Sequence, residues 1–192
     1  MAMMDNDKVY ATTGREWRKW LADNHADKQG VWLIQYKKNT GKPTLSWSEA
    51  VDEALCFGWI DSIKKKLNNE STAQFFGRRK PTSTWSKINK EKVNRLIEKG
   101  LMMQAGFKSI ETAKQNGSWA LLDEVEKLNT PPDLAIAFEL YEGSKSYFDK
   151  LSKSTRKAIL QWLVLAKRPE TRQRRIDEIA VLASQNKKPK QF

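Results

Sequence analysis

Hydrophobic positions in the first half of the chain follow the spacing of a helix and then of a strand. A capping box of Thr13 and Glu16 predicts a helix that begins at about Gly14 and carries tryptophans on one face. After Gly30, the segment VWLIQYKK is rich in β-branched and aromatic residues, which favours a strand.

A second helix precedes the region with most of the candidate chemistry. Ser46 and Glu49 form another capping box, and Gly58 is the expected residue just past the end of this helix. Hydrophobic residues at helical spacing predict its buried face, which comprises Trp47, Val51, Ala54 and Leu55.

A β-hairpin is predicted next, with strands from Trp59 to Leu67 and from Ser71 to Arg79 joined by a short polar turn. Because side chains alternate along a strand, Trp59, Asp61 and Ile63 should share one face. The basic end of the returning strand would then lie near Asp61.

From Pro81 onward the strand signals stop and helical patterns continue to the C-terminus. Ser86 or Asn89 is the expected cap of the first of these helices, and Ser152 or Ser154 caps a long one. The long helix is apolar almost all round, which is typical of a buried helix. The predicted fold class is therefore α+β, with a small N-terminal sheet of one strand plus a β-hairpin, packed by helices and followed by a C-terminal helical bundle.

Three parts are predicted within the 192 residues. Residues 1–85 form an α/β N-terminal part, residues 86–130 a helical connection, and residues 131–192 a C-terminal helical domain. The boundary at Thr130 rests on the two prolines that follow it, since a proline fits the first turn of a helix.

The formal net charge of +12 and the sequence pI of about 9.7 raise the question of an anionic partner. One interpretation is attraction to nucleic acid, anionic lipid or a phosphorylated ligand. The other is a solvated lysine-rich surface, which the even spread of lysines along the chain favours.

Cysteine and histidine counts limit the chemistry. The single cysteine, Cys56, excludes an internal disulfide, and the single histidine, His25, has no carboxylates at zinc-site spacing around it. Cys56 lies at the C-terminal end of its helix, where the dipole opposes a thiolate, so we expect a buried structural thiol. No metal and no cofactor are predicted.

The sequence also contains no apolar run of the roughly 18 residues that a membrane span needs. Asp5 and Asp7 follow the initial methionines without the apolar core of a signal peptide. We therefore expect a cytoplasmic protein without an integral membrane segment; the pattern sets no oligomeric state.

A candidate ligand site follows from residues that mix an aromatic wall, an acid and cations. It comprises Trp59, Asp61, Arg79, Trp85 and Lys87. Guanidinium and ammonium groups beside indole rings suit a phosphate or a stacked base, and Arg79 or Lys87 would contact the anion. The same residues could equally form a structural ion pair and a solvated helix start. No catalytic set is assembled around them.

Five blocks in order along the chain resemble one family: ALCFGWIDS, RKP-x-S-x-WSK-x-N, LIEKG-x-M, AK-x-x-G-x-W and AKRPETR-x-RRI. They are similar to the YdeI/OmpD-associated family, also called OmdA-type or bacteriocin-protection proteins. The resemblance covers almost the whole chain, and the region from about Pro132 to Lys188 resembles the helical segment that gives the family its name. Arg78 stands where the family commonly has proline, and Met103-Gln104 replaces a usual Thr-Pro.

The resemblance implies stress protection against bacteriocins or cationic antimicrobial peptides, and no catalytic mechanism. Together with the candidate site, it favours a non-enzymatic cytoplasmic protein that binds a small or anionic ligand at the junction of its two halves. Two alternatives remain open: a nucleic-acid-binding protein that uses its basic surface, and an enzyme that uses Asp61 as general base.

Overall fold

The computed structural model describes residues 8–192. The expectation about a signal peptide concerns residues 1–7 and lies outside this range. The chain forms two compact units, one up to Trp119 and one from Ala120 to Phe192. The three-part division at residues 85 and 130 stays a prediction.

A four-stranded mixed sheet lies in the first unit, which confirms the α+β class. Its order is β1-β2-β4-β3, with β1 parallel to β2 and the other neighbours antiparallel. The strands are β1 (Lys8–Tyr10), β2 (Gly30–Tyr36), β3 (Trp59–Lys66) and β4 (Ser71–Arg78). The sequence did not predict β1, since only pairing with a distant strand stabilises these three residues.

The hairpin of β3 and β4 forms as predicted, but its alternation is interrupted. Asp61 pairs with Phe76, and a register shift lies between Asp61 and Lys64. Ile63, expected to share a face with Trp59, is 59% exposed as a result. A β-bulge of this kind adds a residue to one strand and turns the side chains beyond it.

Four α-helices and one short 3₁₀ helix (Lys38–Thr40) complete the first unit within the described residues. The α-helices are α1 (Gly14–Asn24), α2 (Trp47–Cys56), α3 (Lys87–Glu98) and α4 (Gln104–Gln115). The capping box of Ser46 and Glu49 is present in both directions. At α1, Thr13 accepts from the Glu16 amide, but the Glu16 carboxylate accepts from Thr12 instead of closing the box. Ser86, and not Asn89, caps α3.

The core of this unit lies between one face of the sheet and helices α1 to α4. Trp17 is fully buried, and its indole N–H donates to the Ala50 carbonyl at 3.0 Å, so the α1–α2 contact satisfies its polar atom. Trp47 departs from its predicted burial and is 48% exposed. The inward face of α2 is instead set by Ala50, Val51, Ala54, Leu55 and Cys56.

The second unit is helical, with α5 (Asp123–Glu126), α6 (Pro132–Glu139), α7 (Ser144–Lys150), α8 (Lys153–Val164) and α9 (Pro169–Ser184). The sequence missed α7, which begins directly after Gly143 and packs against α9. Ser152 caps α8 as expected. The prediction that α8 is buried all round was wrong, because Ile159, Leu160 and Leu163 are buried while Leu165 just beyond it is 42% exposed.

Among the described helices, none has both the length and the apolar composition to cross a bilayer.

Candidate functional site

A tight turn at Gly58 joins α2 to β3 and packs against α4. Gly58 has a φ of +71°, and a β-carbon there would lie 2.8 Å from the Ala105 carbonyl oxygen. Glycine is therefore required for both the left-handed backbone and the close approach. The Gly58 carbonyl accepts from the Arg79 amide at 3.0 Å, which fixes the chain where it leaves β4.

A cavity of about 430 Å³, called here the inner cavity, opens between this turn and α4, within the first unit. Phe57, Trp59 and Pro81 form much of its apolar wall. Its side chains with hydrogen-bonding or charged groups, apart from the Trp59 indole, are His25, Arg78, Arg79, Lys108, Ser109 and Thr112. All of its lining residues lie in the described part of the chain and none is acidic, so the cavity is an electropositive one.

Arg79 is held in the wall of this cavity by two contacts. Its Nη1 donates to the Thr84 carbonyl at 2.8 Å, and its guanidinium carbon lies 3.7 Å from the centre of the Trp85 ring. Its Nε and Nη2 have neither solvent contact nor a hydrogen-bond partner among the described residues. These two N–H groups form the edge of a guanidinium that pairs with both oxygens of a carboxylate or phosphate.

Burial of this guanidinium lowers the pKa of Arg79 to about 10, and the negative charge of Asp61 opposes the shift only in part. Arg79 is thus still a cation at neutral pH. Its charge is removed from water without an ion pair in the described residues, which is unfavourable for the fold.

Arg78 adds a second charge at the mouth of the cavity. Its Nε donates to the His25 carbonyl at 3.1 Å, and its Nη2 donates to the Ala26 carbonyl. These backbone oxygens orient the side chain but leave its positive charge without a carboxylate among the described residues. Arg78 and Arg79 therefore present adjacent cationic groups to the same space.

The structure brings together three of the five residues predicted for the ligand site. Trp59 and Arg79 line the inner cavity, and Trp85 lies directly beneath the Arg79 guanidinium. Both indoles are 1% exposed, and neither ring nitrogen has a hydrogen-bond partner within the described chain. Trp85 also packs on Trp119, with 4.9 Å between ring centres.

Asp61 and Lys87 do not line the inner cavity. The Asp61 carboxylate accepts from the Trp47 indole at 2.8 Å and from the Gln74 amide at 3.5 Å. Lys87 lies at the exposed start of α3 with its ammonium 3.8 Å from Glu91. Asp61 therefore acts on Arg79 only through its charge, and Lys87 lies on another surface.

Sequence reasoning missed the contribution of α4. Lys108, Ser109 and Thr112 recur at the spacing of one helical face and turn it toward the cavity. This polar face was visible in the sequence, but nothing local indicated that it would lie opposite Arg79.

The remaining candidates for chemistry are consistent with a binding role. Cys56 is fully buried, and burial raises the pKa of its thiol, which makes it a poor nucleophile. Within the described residues no group of three or more potential metal ligands clusters in space. What the geometry can do chemically is bind an anion.

Comparison with known families divides the chain. The family described as a domain of unknown function, DUF8412, matches residues 9–109, more than half of the 192 residues. The family described as "Bacteriocin-protection, YdeI or OmpD-Associated" (OmdA) matches residues 127–186. The resemblance drawn from sequence blocks is thus confirmed for the C-terminal part alone. No curated protein and no solved structure matches the chain. The first match shows that the protein belongs to the DUF8412 family, and its C-terminal segment is similar to OmdA proteins.

Proposed function

We propose that this chain is a non-enzymatic cytoplasmic protein of the bacteriocin-protection type that binds a small anionic ligand in the inner cavity. The cavity lies between the sheet-bearing part and α4. The single observation that carries the proposal is the edge of Arg79 formed by Nε and Nη2, which is buried and has no hydrogen-bond partner among residues 8–192.

The geometry of Arg79 favours an anion over a neutral ligand. Its opposite edge is fixed by the Thr84 carbonyl and its face by Trp85, so the free edge is held in one orientation. An arginine whose rotamer is already fixed loses little entropy when it binds a planar or tetrahedral anion. A bound carboxylate or phosphate would also supply the counter-charge that no described residue provides in direct contact.

The surrounding residues support the same ligand class. Lys108 adds a cation from α4, and Ser109 and Thr112 add hydroxyl groups that can donate to anionic oxygens. The apolar surface of Trp59 and Phe57 reduces the local dielectric, which strengthens these charged hydrogen bonds. The ligand is therefore small enough for a cavity of about 430 Å³ and carries at least one acidic group.

The C-terminal similarity to the OmdA family supplies the biological context. A protein of net charge +12 is repelled by a cationic peptide, so protection by direct capture is electrostatically unfavourable. We infer that protection acts indirectly, through the anionic ligand inside the cell.

The test is a titration with inorganic phosphate, followed by intrinsic tryptophan fluorescence. Trp59 and Trp85 border Arg79, so binding should give a saturable change in emission. Arg79→Met should abolish the change. Arg18→Met is the matched control, because Arg18 also contacts a backbone carbonyl and an aromatic ring but does not line the inner cavity. Equal binding by wild type and Arg79→Met would refute the proposal.

The protective role needs its own measurement. Cells that produce the wild-type chain should survive a cationic antimicrobial peptide better than cells that produce Arg79→Met at the same level. Equal survival of the two kinds of cell would show that protection does not depend on the ligand site.

A further inference from the structure

A second cavity, called here the outer cavity, lies on the other face of the sheet. Its volume is about 680 Å³, and Ile60, Phe75 and Gly77 contribute its floor. Ile60 pairs with Gly77, and Phe75 pairs with Trp32, so these residues share the face opposite to core residues such as Phe76. The outer cavity thus lies on the face opposite to Phe76, although Ile60 in its floor also packs against core residues.

The Phe75 ring is held in a fixed position on this face. Gly30 and Gly77 are paired across β2 and β4, and a β-carbon at either position would collide with or crowd the ring. Trp32 packs against it edge to face, with 5.2 Å between ring centres. Phe75 is only half-buried in this cradle, so part of its aromatic surface lies open to the cavity.

The rim of the outer cavity is cationic. Arg78, Arg79 and Lys80 follow one another along it, with hydroxyl groups from Ser62 and Ser83 beside them. The residues that line it are all described by the structure, and no carboxylate is among them. Arg79 lines both cavities, and its buried Nε and Nη2 have no hydrogen-bond partner among the described residues.

An apolar aromatic floor beside three consecutive cations is complementary to a ligand with a planar ring and a multiply charged group. We propose that the outer cavity binds a nucleotide unit, with the base on Phe75 and the phosphate at Arg79 and Lys80. A phosphate monoester carries a charge of about −1.5 to −2 near neutral pH, which matches this rim better than a single carboxylate does. Base stacking on an aromatic side chain supplies the second contact. The inference rests on the proposed function, because the phosphate of the nucleotide would be the anion that contacts Arg79, with the base extending into the outer cavity.

The experiment compares inorganic phosphate, ribose 5-phosphate and AMP by isothermal titration calorimetry. AMP should bind about tenfold more tightly than ribose 5-phosphate, because only AMP carries a base that can stack. If phosphate binding depends on Arg79 but AMP and ribose 5-phosphate bind with equal affinity, this inference is overturned and the proposed function stands. No binding of any of the three would remove both.

Variants then locate the ligand. Phe75→Leu should remove the advantage of AMP over ribose 5-phosphate, while Phe75→Tyr should keep it. Lys80→Ala should weaken AMP binding several-fold. Lys99→Ala is the matched control, since Lys99 is also an exposed lysine of the first unit but lines neither cavity. If Phe75→Leu fails to fold, Lys80→Ala and its lysine control decide the question. An equal loss of AMP affinity in both variants, or a larger loss in the control, would place the ligand elsewhere.

A short oligoadenylate distinguishes the two sources of a nucleotide unit. Binding that is much tighter than that of AMP and falls steeply with added salt indicates single-stranded nucleic acid. Binding equal to that of AMP indicates a free nucleotide. An oligoadenylate that binds equally well to wild type and Phe75→Leu would contradict the site.

Discussion

Replacement of Arg79 by methionine should abolish anion binding while leaving the fold almost as stable as before. The reason is the state of the guanidinium, whose Nε and Nη2 are buried without a hydrogen-bond partner among the described residues. Burial lowers the pKa of Arg79 to about 10, and a shift of this size corresponds to about 3 kcal/mol at 1.36 kcal/mol per unit. The folded state therefore binds the guanidinium proton of Arg79 less tightly than the unfolded chain does. As a result, the charged form of Arg79 destabilises the fold at every pH below about 10.

The substitution also removes favourable contacts. The cation–π contact with Trp85 is worth about 1–2 kcal/mol, and the charged hydrogen bond to the Thr84 carbonyl about 1.5–3 kcal/mol. Methionine keeps an apolar stem against the indole. Together these losses come to about 2.5–5 kcal/mol against a gain of about 3 kcal/mol, so the free energy of unfolding should fall by at most about 2 kcal/mol.

Arg18→Met is the control for the stability of Arg79→Met. Arg18 donates to the Leu101 carbonyl at 2.6 Å and lies 5.4 Å from the Phe57 ring, but it also pairs with Glu53 at 2.7 Å. Its loss leaves a partly buried carboxylate unpaired and should reduce stability by about 1–2 kcal/mol. Both variants lie in the first unit, so urea unfolding followed by tryptophan fluorescence compares them in one transition. A loss of more than about 2 kcal/mol for Arg79→Met would refute the reasoning and make Arg79 a structural residue.

Three further predictions concern groups outside the cavities. Lys92→Met should lower the unfolding free energy of the first unit, measured in urea, by about 2 kcal/mol. The buried Lys92 ammonium lies 2.5 Å from Asp52, so the substitution leaves this carboxylate with one fewer counter-charge. An unchanged urea midpoint would contradict this prediction. Arg172 lowers the pKa of Asp133, so this pair contributes stability in full above the ordinary aspartate pKa of about 4 and loses it as the pH falls through the lowered folded value. Asp133→Asn should therefore reduce the loss of unfolding free energy of the second unit as the pH falls from about 5 to about 3, on either side of the ordinary aspartate pKa. An unchanged dependence of stability on pH would contradict the prediction. The Cys56 thiol should react with a disulfide reagent on the order of a hundredfold faster in urea than in buffer, since it is buried and its pKa is raised by burial; rapid labelling of the native protein would show that it is accessible.

Local signals in the sequence predicted local structure well. The capping box of Ser46 and Glu49 and the glycine that ends α2 involve residues a few positions apart, and both form as expected. The hairpin also follows from adjacent segments. By contrast, β1 depends on a parallel partner beyond a whole helix, and the shift after Asp61 depends on how two strands meet. Neither is specified by nearby residues.

The candidate site shows the same limit. Arg79, Trp59 and Trp85 were predicted because they lie within one short, chemically rich segment. The face of α4 that carries Lys108 and Ser109 could not be placed opposite them, since that contact follows from the close packing of α4 on the Gly58 turn. Predicted roles for Asp61 and Lys87 at the same cavity relied on proximity in sequence. In the structure the Asp61 carboxylate accepts from the Trp47 indole, and Lys87 lies at the exposed start of α3.

The most direct test of the account is a measurement on the Arg79 guanidinium itself. In nitrogen-15 NMR spectra, the Arg79 Nε–H signal can be assigned by its absence from Arg79→Met and followed as inorganic phosphate is added. The account predicts a large, saturable shift of this signal, with the Arg18 Nε–H signal unchanged at the same phosphate concentrations. An Arg79 signal that stays in place while phosphate binds, or that moves only in parallel with other arginines, would contradict the assignment of this residue as the anion receptor.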